Sequence, residues 1–336
     1  MTLKGKIVFV TGASSGIGAA TALAFAAEGA RLLLAARRMD KLAAVAEAAL
    51  KSGAEAIHTF SLDVRDRKAV QQAIDKLPAE WGAIDVLVNN AGLSRGLEKL
   101  YQGNIDDWDE MIDTNMKGLL YVTRAVVPGM VERGRGHVIN LGSVAGEMTY
   151  PNGAVYCASK AAERAINDGL REDVLGTPIR VTSVDPGMVE SEFSLVRFHG
   201  DAERAAKVYQ NIKPLTPEDI AETIVWAASR PEHVNIARVV LTPVHQANAL
   251  LFHRIEPSQV GNKTWLRAGK YPLNSGPLSP ASQSAHRPGP VRPPGRGAAP
   301  AERSFDAECS PVADGATVSG APARCALGRS GAAYPR

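Results

Sequence analysis

Cysteine is scarce in this chain of 336 residues, which holds only Cys157, Cys309 and Cys325. So few, so scattered, they exclude a disulfide framework and give no spacing for a zinc site. Cys157 follows Tyr156, but neighbours on a helix point about 100° apart. It is expected as a small packed side chain rather than a nucleophile. Long apolar runs are also missing. No stretch reaches the roughly 18 residues of a membrane-spanning helix, and the opening MTLKGKIVFV lacks the apolar core and cleavage site of a secretion signal. The expectation is a cytoplasmic protein with no membrane partner. Charge of one sign is not in large excess either, the formal net charge being +3. Residues 249–336 carry eleven Lys and Arg against five Asp and Glu, whereas residues 1–248 carry 27 against 30. The first 248 residues therefore give no support to nucleic-acid binding. With 45% hydrophobic and 22% charged residues, the composition is that of a soluble globular protein.

A short apolar run, Lys6–Val10, leads into Thr11-Gly12-Ala13-Ser14-Ser15-Gly16-Ile17-Gly18 and then a helical pattern through Ala27. Strand, glycine turn and helix together aim backbone N–H groups and a positive helix end at a phosphate. The glycine spacing is G-x-x-x-G-x-G, and no Gly-Lys-Ser/Thr follows, so the loop is not that of a P-loop nucleotidase. A tight turn that merely needs glycine is the alternative. The second predicted strand, Arg31–Ala35, is followed by Ala36-Arg37-Arg38. An acid at that strand end would bond the ribose hydroxyls of NAD, while arginine accommodates a 2′-phosphate. Ala36 in place of the acid, then Arg37, favours NADP; solvent-facing arginines at a helix start are the other possibility.

Further short β-branched strands are predicted at Ala56–Leu62, Ile84–Val88, His137–Leu141, Ile179–Val184 and Arg238–Leu241. Helical patterns separate them, including Asp40–Lys51, Lys68–Leu77, Trp108–Val127 and one opened by Thr216 as N-cap with Pro217 after it. This alternation predicts an α/β fold, a single Rossmann-type doubly wound parallel sheet, with its ligand crevice beyond the strands' carboxyl ends. The glycine loop, Arg37, Asp63, Asn89, Ser143 and Pro186 all fall there.

The stretch Asn140–Lys160 carries the chemistry. Tyr156 and Lys160 stand four apart at the start of a predicted helix, so the phenol and the ammonium share one face. A free phenol ionises only near pH 10, and a cation held beside it favours the phenolate. Ser143, at the end of the preceding strand, is placed to hydrogen-bond the same substrate oxygen. Such a set suits interconversion of an alcohol and a carbonyl. Asn115, inside the long predicted helix, is expected to bend it or to bond a partner.

Beyond Asn248 the texture changes, with twelve of the 21 prolines in residues 249–336 and no sustained periodicity. A disordered tail is expected there, with short apolar pieces near Leu250–Ile255 packing on the domain. The predicted organisation is thus a catalytic domain over residues 1–248 and a low-complexity tail over 249–336.

From residue 4 to about 248 the chain resembles the short-chain dehydrogenase/reductase family, in TGASSGIG, NNAG, Asn115, Ser143, YCASK and the Pro-Gly turn, in order and at the family's spacing. The resemblance implies Tyr156 as general acid/base, Ser143 polarising the carbonyl, and Lys160 tuning the tyrosine and binding the nicotinamide ribose. It implies Asn115 holding a helix irregularity that extends a proton relay to Lys160. Gly12, Ser14, Ser15, Gly16, Ile17 and Gly18 would surround the pyrophosphate, with Asp63 and Val64 near adenine and Arg37 and Arg38 beside the 2′-phosphate. Asn89 would stand on the cofactor wall, Val189 and Ser191 would meet the carboxamide, and Ala91, Gly92, Pro186 and Gly187 would also contact the cofactor. LVNNAGL, WDEMIDTNMKGL, RVTSVDPGMVESEFSLVRFHGD and KPLTPEDIAETI look like the NADP-dependent 3-hydroxy acid (serine-type) dehydrogenase subgroup. That implies small β-hydroxy acids as substrates and a homotetramer. Arg197, after the Pro-Gly turn, is the candidate cation for the substrate carboxylate; a solvated or intersubunit ion pair is its alternative. A neutral-ketone reductase on the same machinery and a non-catalytic NADP-binding scaffold are the competing functions. The tail lies outside the family pattern, and Asp185 stands where the family often has Asn before Pro-Gly, a change expected to perturb a turn at most.

Overall fold

Strands buried on both faces must be apolar at every position, and this rule explains the core of the molecule. The computed structural model describes residues 2–255. In it β1 (Ile7–Thr11), β2 (Arg31–Ala36), β3 (Ala56–Ser61), β4 (Val86–Asn89), β5 (Gly136–Leu141), β6 (Ile179–Pro186) and β7 (Arg238–Leu241) form one sheet in the order β3-β2-β1-β4-β5-β6-β7. All the pairings are parallel. Alternate residues feed opposite layers. Val8, Val10, Leu32 and Leu34 pack with α1 (Gly16–Ala27), α2 (Met39–Lys51) and α9 (Pro217–Ala228). Ile7, Phe9, Leu33 and Ala35 face α3 (Arg67–Asp75) and α5 (Leu119–Glu132). The sheet is doubly wound, as the sequence predicts. Strand order reverses between β1 and β4, so the crevice opens where Gly12 and Asn90 follow those strands.

Side chains cap the N-termini of α3, α4 (Ile105–Ile112), α8 (Ala202–Val208) and α9. Thr216 and Asp219 form a reciprocal capping box at the start of α9, with Pro217 in the first turn. The predicted long helix over Trp108–Val127 is longer at both ends. α4 (Ile105–Ile112) starts at Asn104, whose Oδ1 accepts from the Asp106 N–H at 3.0 Å. A π turn over Asp113–Gly118 joins it to α5, which runs past Pro128 to Glu132. Proline removes one helical hydrogen bond, but buried Val126, Val127 and Met130 hold this segment against the sheet.

Between β6 and α9 the chain forms two short helices, α7 (Phe193–Arg197) and α8 (Ala202–Val208). α6 (Ala154–Asp173) lies between β5 and β6. Beyond β7, Ile255 is buried and its N–H donates to the Asn211 carbonyl at 2.7 Å, so the first tail residues do pack on the sheet domain. The expected disorder of the remaining tail, with Cys309 and Cys325, lies outside the described residues.

Candidate active site

The glycine loop after β1 is a cradle that side chains cannot enter. Gly12 has φ +65°, and a Cβ there would lie 2.9 Å from Ala91 Cα. A Cβ on Gly18 would come within 2.4 Å of both the Gly12 carbonyl oxygen and Asn90 Nδ2. Asn90 stitches the loop to β4, donating to the carbonyls of Thr11 (2.8 Å) and Gly12 (3.2 Å). Ser15 caps α1 without a side-chain hydrogen bond to the helix, leaving the first-turn N–H groups for an anion. Gly12, Ser14, Ser15, Gly16 and Ile17 line one cavity with Asp63, Val64, Ala91, Gly92, Pro186, Gly187, Val189 and Ser191. That lining fits a dinucleotide. Two predicted cofactor residues sit elsewhere: Gly18, expected around the pyrophosphate, packs beneath Gly12, and Asn89, expected on the wall, turns into the core. The Asn89 amide donates to Thr123 Oγ1 (3.0 Å) and Asn140 Oδ1 (2.9 Å). Its neighbour Asn90 is the one on the cavity.

Arg37 and Arg38 close the far end of the cavity. Arg38 reaches Ser15 Oγ at 2.6 Å and Glu192 at 2.9 Å, and Lys41 joins the same carboxylate at 2.5 Å. The Lys41 hydrogen bond, assisted by Arg38 against partial burial, draws the Glu192 carboxyl down to about 2. Asp63 is likewise held below the usual carboxylate range by its bidentate contact with Arg65.

At the other end Ser143, Tyr156 and Lys160 line the same cavity. Ser143 sits at the start of a single helical turn, its Oγ accepting from the Ala145 N–H at 3.1 Å. Tyr156 is buried edge-on to Phe193, ring centres 5.5 Å apart. Lys160 Nζ donates to the Leu141 carbonyl and to Glu163 Oε2, each at 2.7 Å. Burial disfavours its charge, but the carboxylate of Glu163, with Tyr156 and Asp185, outweighs that and keeps the ammonium protonated above the ordinary lysine range. Asn115 lies within the π turn, as a helix irregularity requires. Its amide exchanges two 2.8 Å hydrogen bonds with the Leu93 backbone and donates to Ser159 Oγ at 3.0 Å. A Cβ on Gly92 would be 3.3 Å from Asn115 Oδ1 and 3.8 Å from Lys160 Nζ, which places the amide and the ammonium around one small space.

The match to the short chain dehydrogenase family model covers residues 6–200. The chain belongs to the short-chain dehydrogenase family. An NADP-dependent 3-hydroxy acid dehydrogenase (YdfG) of Salmonella typhi is 50% identical over 250 residues, 74% of this chain and 99% of the relative. A 3-hydroxy acid dehydrogenase of Schizosaccharomyces pombe is 45% identical over 248 residues, covering 74% and 96%. Among solved structures, the closed form of a serine dehydrogenase complexed with NADP+ is similar at TM-score 0.70 and 46% identity, covering 74% of this chain and 99% of that one.

On this short-chain dehydrogenase frame, Arg197 is not among the residues lining the cavity but packs against two that are, Tyr156 and Phe193. The guanidinium carbon is 5.3 Å from the Tyr156 ring centre and 5.1 Å from that of Phe193. Its Nε donates to Ser94 Oγ (3.0 Å) and its Nη2 to Tyr150 Oη (2.8 Å). Burial, only partly offset by Arg197, raises the Tyr150 hydroxyl above the usual tyrosine range, so it stays neutral. Glu163, Glu192, Asn90 and the Arg95–Glu110 pair (2.7 Å) are not legible in the sequence as site residues. Asn90, Glu192 and the Arg95–Glu110 pair join separate chain segments, while Glu163 pairs with Lys160 one turn earlier on the same helix. Asp185 also departs from expectation. It does not disturb a turn, because β6 continues through Pro186, and its buried carboxylate accepts from Ser183 Oγ and Arg238 Nε.

Proposed function

We propose that the protein is an NADP-dependent oxidoreductase acting on the CH–OH group of a small 3-hydroxy acid of the serine, 3-hydroxyisobutyrate or allo-threonine type. The observation that carries the substrate class is Arg197, a cation held against the Tyr156 ring with no carboxylate in ion-pair range among the described residues. Two of its five N–H groups are used by Ser94 and Tyr150, leaving donors for a substrate carboxylate. Arg37 and Arg38 at the cavity end, with Ala36 in place of an acid, support the phosphorylated dinucleotide.

NADP, when bound, supplies the hydride acceptor or donor. The chain's own side chains manage the proton. In oxidation Tyr156 takes the hydroxyl proton while Ser143 holds that oxygen, and the Lys160 ammonium stabilises the phenolate; in reduction the proton travels the other way. Asn115, bonded to the Leu93 backbone and Ser159, keeps the irregular helix open beside Lys160.

NADP+ reduction with a panel of β-hydroxy acids, run beside NAD+ and beside a neutral diketone in reverse, tests this. Turnover of L-serine, 3-hydroxyisobutyrate or allo-threonine with NADP+ is the expected result. A clear kcat/KM preference for the neutral diketone over all the acids overturns the substrate class. The apolar wall of Leu93, Phe193 and Val196 favours that second reading, a reductase of neutral ketones, diketones or quinones.

The homotetramer belongs to the same proposal. Exposed Leu100, Ile112 and Leu120 around the π turn give a second copy an apolar surface; light scattering during size-exclusion chromatography measures the mass. A cytoplasmic location is proposed with it. Among the described residues no helix is long and apolar enough to cross a membrane.

A further inference from the structure

One face of α6 buries Tyr156, Lys160, Glu163 and Asn167, a spacing that normally carries apolar side chains into a core. Glu163 is only 2% exposed, and its Oε2 lies 2.7 Å from Lys160 Nζ. Its other oxygen, Oε1, is buried without a hydrogen-bond partner among the described residues. A second buried carboxylate, Asp185 on β6, acts on the same pair and is itself bound by Ser183 and by Arg238 of β7. Arg238 in turn holds Glu147 at 3.1 Å. The Lys160 ammonium is thus in contact with the Glu163 carboxylate and within electrostatic reach of the Tyr156 phenol and the Asp185 carboxylate. A buried ion pair is poor evidence for stability, since apolar residues of similar volume often serve as well or better. A glutamate in this place asks for another reason.

We propose that Glu163 is a positioning residue for Lys160, fixing the ammonium beside Tyr156 and setting the pH range in which the Tyr156–Lys160 pair exchanges its proton. This rests on the reading of Tyr156 and Lys160 as the proton-handling pair. The Glu163 carboxylate opposes the field of the ammonium and makes every proton of the pair harder to remove. Burial pushes the Glu163 carboxyl up against the pull of Lys160. The groups that set this balance are Lys160 and Tyr156 on α6, Asp185 on β6, and Arg238 and Glu147 through Asp185.

The test is an ultraviolet titration of phenolate formation in the free protein, taken as the difference from the same background carrying Tyr156→Phe. Glu163→Gln keeps the side chain's size and removes its charge. Glu163→Met removes charge and hydrogen bond together, and Glu163→Asp keeps the charge. Both neutral variants are expected to ionise the phenol at least about half a pH unit below wild type, with Glu163→Asp nearer to wild type. A cofactor titration by NADPH fluorescence identifies the folded variants. An unmoved phenolate titration in either folded neutral variant overturns the proposal, because a merely structural role lowers stability or rate without displacing an ionisation. The readout is independent of turnover. A displaced titration with no NADP+ reduction by any β-hydroxy acid would overturn the proposed function and leave the role of Glu163 intact.

Discussion

Arg38 and Glu192 meet across 2.9 Å, joining the end of β2 to the segment that follows β6. Arg38 also holds Ser15 of the glycine loop, and Lys41 shares the carboxylate. Glu192 thus supplies an anion to cations that a 2′-phosphate would use. The side chains are partly exposed, so the contact is weak in water. Glu192→Gln should tighten NADP+ several-fold relative to wild type, leave NAD+ affinity nearly unchanged, and reduce the dependence of NADP+ binding on acidity. Isothermal titration with both dinucleotides checks it. The carboxyl titrates near 2 in the fold. Because that lies below the ordinary carboxylate value, the contact is at full strength above about pH 4.5 and fades as pH falls toward 2.

Arg197 distinguishes the substrate classes. Removing a charge-assisted hydrogen bond to a carboxylate costs about 1.5–3 kcal/mol, or roughly 10- to 150-fold in KM. Arg197→Ala should raise KM for 3-hydroxy acids by that factor and spare neutral ketones. Equal losses for both would assign Arg197 to support of the Tyr156 and Tyr150 rings alone.

Two glycines on helices should respond in opposite directions to the same substitution. Gly18→Ala drives a methyl to 2.4 Å from a backbone oxygen, so thermal stability and dinucleotide binding should both fall. Gly169, within α6, has an ordinary helical backbone and open space where a methyl group would sit, with nothing described within 4 Å beyond its chain neighbours and the helix's own backbone. Gly169→Ala should stabilise by about 0.5–1 kcal/mol. Thermal melts of both variants measure the pair.

His137 on β5 gives a pH signature to stability. It is buried beside Arg180, with Nε2 2.7 Å from Thr182 Oγ1. Burial, then the arginine, hold it well below the ordinary histidine value, so it stays neutral in the fold. The unfolded chain gains a proton below about pH 6.5 that the folded chain refuses, and stability falls as pH drops through that point. The slope from this one group approaches about 1.4 kcal/mol per pH unit. Denaturant melts from pH 8 to pH 5 should show it, and a folded His137→Gln variant should flatten the pH dependence.

The sheet is readable in the sequence because strands such as IVFVT and RLLLAA are apolar at successive positions, and only burial on both faces explains that. Both termini of the long helix depart from the sequence reading for physical reasons. Asn104 is a capping residue that starts the helix before the predicted Trp108, and Pro128 reads as a stop that the packing of Val127 and Met130 overrides. α7 has five residues, too few to show a period. Tyr156, Lys160, Ser143 and the glycine loop, which line one cavity, are legible because local spacing brings them out. Asn90, Glu192 and Asp185 act through chain segments 50 or more residues away. Neighbouring sequence carries no trace of such partners.

The most direct measurement is the rate of NADP+ reduction by a 3-hydroxy acid in wild type and in Tyr156→Phe, with NADPH binding measured on the same samples. Loss of the phenolic proton acceptor should lower kcat by at least about 100-fold while cofactor affinity stays within about two-fold. Near-normal turnover by a folded, cofactor-binding Tyr156→Phe protein would contradict the assignment of proton transfer to this side chain.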